Sequence, residues 1–186
     1  MSQQEIQSDQ PVSVIRSSWT GTQLGILAVL VIACSILVWT AYHPEDIYFH
    51  DLGYEVEIAD EFLPSHDISV LGYPLKIENH LYARGISTFG NSTLILRKIP
   101  AGYRYFSAEI GIDASSPKPA GSVVFSVLAN GTLLYQSPVL TKDMPPVHVF
   151  VPLLERTSLT LKVTDAGDGT EGDYANWASA RFIYSL

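Results

Sequence analysis

The chain has 186 residues, room for one domain with a proper core plus a further segment, and 19 acidic against 11 basic residues leave a formal charge of −8. That balance, with no Lys/Arg cluster to neutralise phosphates, excludes a nucleic-acid partner. A single cysteine, Cys34, excludes an internal disulfide framework and a Cys-based zinc site.

Residues 1–21 are polar and rich in Gln and Ser, and are expected to form a disordered tail. A transmembrane helix is expected over 22–42, because Leu24 to Tyr42 carries no charge and would span about 28 Å, close to the ~30 Å of a bilayer core. Trp19, Trp39 and Tyr42 sit where interfacial aromatics belong, and His43-Pro44 stops the helix. Arg16 before the segment and Glu45-Asp46 after it favour a C-terminal domain outside the cytoplasm. Two processed forms compete with this uncleaved anchor. One is a cleaved signal peptide, for which Trp39-Thr40-Ala41 is a poor cleavage site. The other is a lipoprotein signal ending at Cys34 in "VIAC", although the apolar run continues to Val38.

Beyond residue 46 the pattern is that of strands: short alternating runs broken by Gly, Pro, Asn and Asp. "TLILRKI" (Thr93 to Ile99), "FSAEIGI" (Phe106 to Ile112), "SVVFSVL" (Ser122 to Leu128), "VHVFVPLL" (Val147 to Leu154) and "SLTLKVT" (Ser158 to Thr164) are the clearest. Asn130-Gly131 between two such runs predicts a hairpin. Turns at this spacing indicate a β-sandwich. In the last run Ala178, Ala180, Phe182, Tyr184 and Leu186 are assigned to the core face, and Trp177, Ser179 and Arg181 to the other.

Ahead of that run lies an acidic, Gly-rich loop with Asp165, Asp168, Glu171 and Asp173. Its carboxylates and carbonyls suit calcium, with Asp165, Asp168 and Asp173 as candidate ligands; the alternative is a solvated turn. The five histidines show no zinc spacing, and no nucleophile elbow or phosphate loop is present. A sugar needs an aromatic ring for its C–H face and planar polar groups for its hydroxyls. Tyr174, Asn176, Trp177 and Arg181 offer that mix, with Tyr73, Tyr82, Tyr103 and Tyr105 as further aromatics. Trp177 among Ala175, Ala178 and Ala180 equally suits a core plug.

The blocks "IYFHDLGYEVE" (47–57), "VLGYPLKIENHLYARGISTFGNSTLIL" (70–96), "YRYFSAEIGID" (103–113), "GSVVFSVLANGTLLYQS" (121–137), "LTLKVTDAGDG" (159–169) and "DYANWASARF" (173–182) occur in an order and spacing that resemble the NPCBM domain, akin to carbohydrate-binding module family 51. The resemblance spans about residues 46–186. It implies an all-β fold, a galactose-binding-like jelly-roll sandwich, a non-catalytic glycan-binding role beside carbohydrate-active enzymes, and a structural calcium ion. Phe89 and Tyr174 stand where the family pattern commonly has His, and Asn176 and Ser179 where it has acidic residues. Two functions therefore stay open. The first is a membrane-anchored module that binds a polysaccharide. The second is a structural subunit of a membrane complex whose sugar site has decayed. A glycoside hydrolase would additionally need a second acidic block, and none stands out.

Overall fold

The computed structural model describes residues 20–42, 45–58, 63–117 and 121–184. The expected tail lies outside the described residues as far as residue 19. The chain divides into two units, Met1–His43 and Pro44–Leu186.

The first unit is helix α1 (Gly21–Tyr42), uncharged and apolar on every side. Its 22 residues measure about 33 Å, and its described side chains are all exposed. Ser35 satisfies its hydroxyl by donating from Oγ to the Val31 carbonyl at 2.7 Å. The helix is long and apolar enough to cross a bilayer; a signal sequence has the same length and composition.

The second unit is a β-sandwich; in two six-stranded sheets and a two-stranded ribbon, its described residues form fourteen strands. They are β1 (Ile47–Tyr48), β2 (Glu55–Ile58), β3 (Ser65–His66), β4 (Lys76–Ile77), β5 (His80–Leu81), β6 (Gly85–Phe89), β7 (Ser92–Leu96) and β8 (Tyr103–Ile112). β9 (Ser122–Ala129), β10 (Thr132–Gln136), β11 (Leu140–Thr141), β12 (Val147–Pro152), β13 (Leu159–Thr164) and β14 (Tyr174–Tyr184) complete them. One sheet runs β12-β8-β14-β6-β3, with β1 on β14; the other runs β10-β9-β13-β7-β2, with β11 on β9. The strand pairings are antiparallel throughout.

The alternation read from sequence becomes the core. Leu159, Leu161 and Val163 are buried while Lys162 faces water; Val123, Phe125 and Val127 line up beside them on the neighbouring strand, and Phe106, Ala108, Ile110 and Ile112 meet them from the opposite sheet. Asn130-Gly131 forms the expected turn between β9 and β10, both residues at positive φ (48° and 74°), as a type I′ hairpin requires. Asn130 Oδ1 also accepts from the Thr157 and Ser158 amides at 3.0 Å, tying the hairpin to the start of β13.

Strand direction gives the sandwich two ends. The chain enters at one, where Tyr103 Oη donates to the Glu45 carbonyl at 2.7 Å. Loops 97–102, 130–131 and 153–158 and the end of β14 gather there. The far end collects loops 90–91, 113–117 and 165–173.

The last strand departs from the expected face assignment. Ala175 and Trp177 point into the main core, as do Ala180 and Phe182, whereas Ala178 faces outward under Leu75 and Ile77. The cause is a bulge between Ala178 and Arg181, with Ser179 at φ 50°. One extra residue shifts the phase of a period-two pattern, so no single alternation holds along the whole strand.

Candidate functional site

Trp177 is fully buried, its indole edge-on to Phe125 at a centroid distance of 4.9 Å. It is a core plug, and its assignment to a sugar-facing surface is corrected: a buried ring cannot stack on a glycan. Asn176 is also fully buried. Its Nδ2 donates to Asp113 Oδ2 at 2.6 Å and to the Lys76 carbonyl at 3.2 Å. Asp113 in turn accepts from the Ser115 amide at 2.8 Å. This network fastens the β4–β5 ribbon over the outer face of the sheet, so Asn176 is occupied with structure.

Tyr174 and Arg181 stand apart. They are seven positions apart on one strand, roughly 20 Å. Arg181 lies toward the entry end, where its Nε donates to Asp46 Oδ2 at 2.9 Å. Tyr174 lies at the far end, half-buried, edge-on to Phe89 at 5.0 Å. The structure therefore does not bring the four candidates together, and Tyr174 alone reaches a surface beside the acidic loop. Of the other aromatics, Tyr73 is 58% exposed. Tyr82 packs on the Leu75–Ile77 cluster, and Tyr103 and Tyr105 line the entry end.

The acidic loop sits at the far end, folded by its own turn chemistry. Asp165 Oδ1 accepts from the Gly167 amide at 3.1 Å, and Ala166, Gly167 and Gly169 adopt positive φ. Asp165 also takes Asn91 Nδ2 at 3.3 Å, and Asp168 takes Ser122 Oγ at 2.7 Å. Asp173 is different. It is fully buried, and neither carboxylate oxygen has a hydrogen-bond partner of normal geometry. It presses against Gly90 and Gly121, where a Cβ would meet its oxygens at 2.6 and 1.9 Å. Burial first, then the charges of Asp168 and Asp165, push its pKa up to about 7, with only the Ser122 backbone N–H pulling the other way.

Among the described residues, no three acidic, His or Cys side chains converge as metal ligands. Asp165, Asp168 and Asp173 are thus not one ligand cluster; Asn91 and Ser122 hold the first two. The fit to a cation comes down to Asp173, whose orphaned oxygens lie near the Glu171 carbonyl beside Gly121. Sequence reasoning missed Asn91, Ser122, Gly90 and Gly121 as the walls of this pocket. Their signal is the pairs Gly90-Asn91 and Gly121-Ser122, each closing or opening a strand toward the acidic loop.

A family model described as "NPCBM/NEW2 domain" matches residues 45–183. The second family 51 carbohydrate-binding module of Clostridium perfringens ZmpB, solved with GlcNAc, superposes with a TM-score of 0.70 at 26% identity, over 76% of this chain and 32% of that one. The family 51 module of a C. perfringens GH95 enzyme, solved with methyl-galactose, gives a TM-score of 0.69 at 25% identity, over 75% of this chain and all of that one. A Renibacterium salmoninarum protein named "Putative endo-alpha-N-acetylgalactosaminidase" is 34% identical over 114 residues, which is 61% of this chain. The chain spans only 7% of that curated relative's length.

Proposed function

The chain belongs to the NPCBM/NEW2 domain family, and on that footing we propose that it is a non-catalytic glycan-binding module, carried on the extracytoplasmic side of a membrane by α1. The observation that carries the reading is the likeness, across the full length of the partner, to a family 51 module solved with methyl-galactose. Two of the relatives, the GH95 module and the protein named as an endo-alpha-N-acetylgalactosaminidase, are parts of enzymes that act on glycans, which makes such an enzyme, or the polysaccharide itself, the natural partner. The sugar site is assigned to the far end, around Tyr174 and the rim of the acidic loop, since that end offers a half-buried ring beside Asp165 and Asp168. A structural calcium ion would be held by Asp173 and main-chain carbonyls, neutralising the carboxylate and pinning the loop.

The test is a glycan array with full-length protein in detergent, galactose- and GlcNAc-terminated glycans first. The expected result is selective binding that Tyr174→Ala removes while the melting temperature holds. Absence of binding to any glycan by a folded protein overturns the reading. A second reading, an interaction subunit of a membrane complex, is favoured by Phe89. It is nearly buried and packed against Tyr174, so ring contact fills a place where the family resemblance expects an imidazole. A stoichiometric membrane partner in gentle detergent, without glycan binding, would establish it.

A further inference from the structure

The entry end carries a groove of about 650 Å³ lined by residues 98–105 and 154–157. Three cations line it, Lys98, Arg104 and Arg156, against one acid, Glu155. None of the three has an ion pair among the described residues, in a chain of net charge −8. Arg156, half-buried, reaches Thr132 Oγ1 in a long 3.5 Å contact. Nearby charges are otherwise matched: Arg97 binds Glu55 and Arg181 binds Asp46, leaving Glu45 as the acid beside Tyr103.

Beside these cations Leu154 is 75% exposed, at φ 33°, and Glu155 follows at φ 60°. Two successive non-glycine residues in the left-handed region are costly, and here they hold an apolar side chain out into solvent. The turn is fixed from both sides: the Leu153 amide donates to the Arg104 carbonyl at 2.7 Å, and the Arg156 amide to the Leu153 carbonyl at 2.8 Å. Core packing does not call for this placement. An apolar tip ringed by cations is the composition of a segment that seats at a lipid–water boundary.

Glu45 is bonded to Tyr103 on the groove's rim. We propose that this groove binds the phosphates of anionic lipid headgroups, with Leu154 inserted among them. Lys98, Arg104 and Arg156 supply the charge. The proposal rests on the anchor reading of α1, and is independent of which sugar is bound.

The test uses full-length protein in lipid nanodiscs of phosphatidylcholine, with or without phosphatidylglycerol, read by backbone hydrogen exchange. Protection of 98–105 and 153–157 is expected in the anionic discs and not in the zwitterionic ones. Lys98→Gln with Arg104→Gln, both exposed, should weaken the preference for the anionic surface roughly 30-fold. Leu154→Ser should reduce protection in the same discs without altering exchange in the core strands. Equal exchange in both lipids overturns the proposal. Protection in zwitterionic discs by added inorganic phosphate assigns the groove to a free anion instead, and protection by an acidic oligosaccharide assigns it to a glycan; each overturns the lipid assignment. Protein that never enters the disc overturns the anchor reading, and this proposal with it.

Discussion

Asp173 keeps both carboxylate oxygens away from water and, among the described residues, without a hydrogen bond of normal geometry, a costly arrangement for an ionised acid and a tolerable one for a protonated or cation-bound acid. With its pKa raised to about 7, the folded state holds a proton that the unfolded chain releases near pH 4. That contribution is fully present below pH 4 and is lost as pH rises through 7, on the order of 3 kcal/mol in all. In chelator, the melting temperature should therefore fall between pH 5 and pH 8, and Asp173→Asn should flatten the fall. His50 acts with the opposite sign. Its pKa is lowered, chiefly by burial, so its contribution is lost as pH drops below about 6.5. The asparagine variant is needed to separate the two. Calcium should raise the wild-type melting temperature most at pH 8, and that of the variant little. No calcium effect at pH 8 would leave Asp173 a buried protonated acid and nothing more. Trp177 offers a sharper contrast on the same scale. As a core residue, its replacement by Ala should cost about 3–5 kcal/mol, measured by thermal unfolding. A solvent-facing sugar contact would cost about 0.5 kcal/mol or less.

β14 shows how far an element can be read before it is seen. Its composition and approximate bounds follow from alternation, and Phe182 and Ala180 lie on the expected core face. Trp177 and Ala178 exchange faces because Ser179 at φ 50° inserts one residue into the ladder. Nothing in "NWASARF" announces a bulge, since small residues suit both a tight strand and an irregular one. If the positive φ sets the bulge, Ser179→Gly should change stability by about 0.5 kcal/mol or less, whereas Ser179→Val should cost about 1–2 kcal/mol. Equal costs for the two would mean that packing under the β4–β5 ribbon, and not backbone conformation, decides the position. The same contrast holds elsewhere. The β9–β10 hairpin was legible because Asn130-Gly131 is a local code. The Asn176–Asp113–Lys76 network was not, because its members are 63 and 100 residues apart in sequence. Likewise the acidic loop was visible as a loop, but only the fold reveals that Asp173 is buried while Asp168 faces solvent.

At the scale of the whole domain, the two ends have different chemistry. The entry end holds the unpaired cations and Leu154; the far end holds Tyr174 and the acidic loop. β8 connects them, and its ten residues span roughly 30 Å. That is nearly four times the ~8 Å screening length at physiological ionic strength, so charge at one end has little electrostatic influence at the other. A sugar site at the far end and a lipid site at the entry end should then be thermodynamically independent. Affinity for a soluble galactoside, measured by calorimetry on the full-length protein in nanodiscs, should be the same in zwitterionic and anionic lipid. The Lys98→Gln, Arg104→Gln variant should leave it unchanged. Tyr174→Ala should abolish it without altering the preference for anionic discs. The independence follows from placement, because neither site shares a residue or a loop with the other. A change of tenfold or more in sugar affinity with lipid composition would mean that the sugar is held at the entry end, beside Tyr103 and Tyr105, and that the membrane and the glycan compete for one groove.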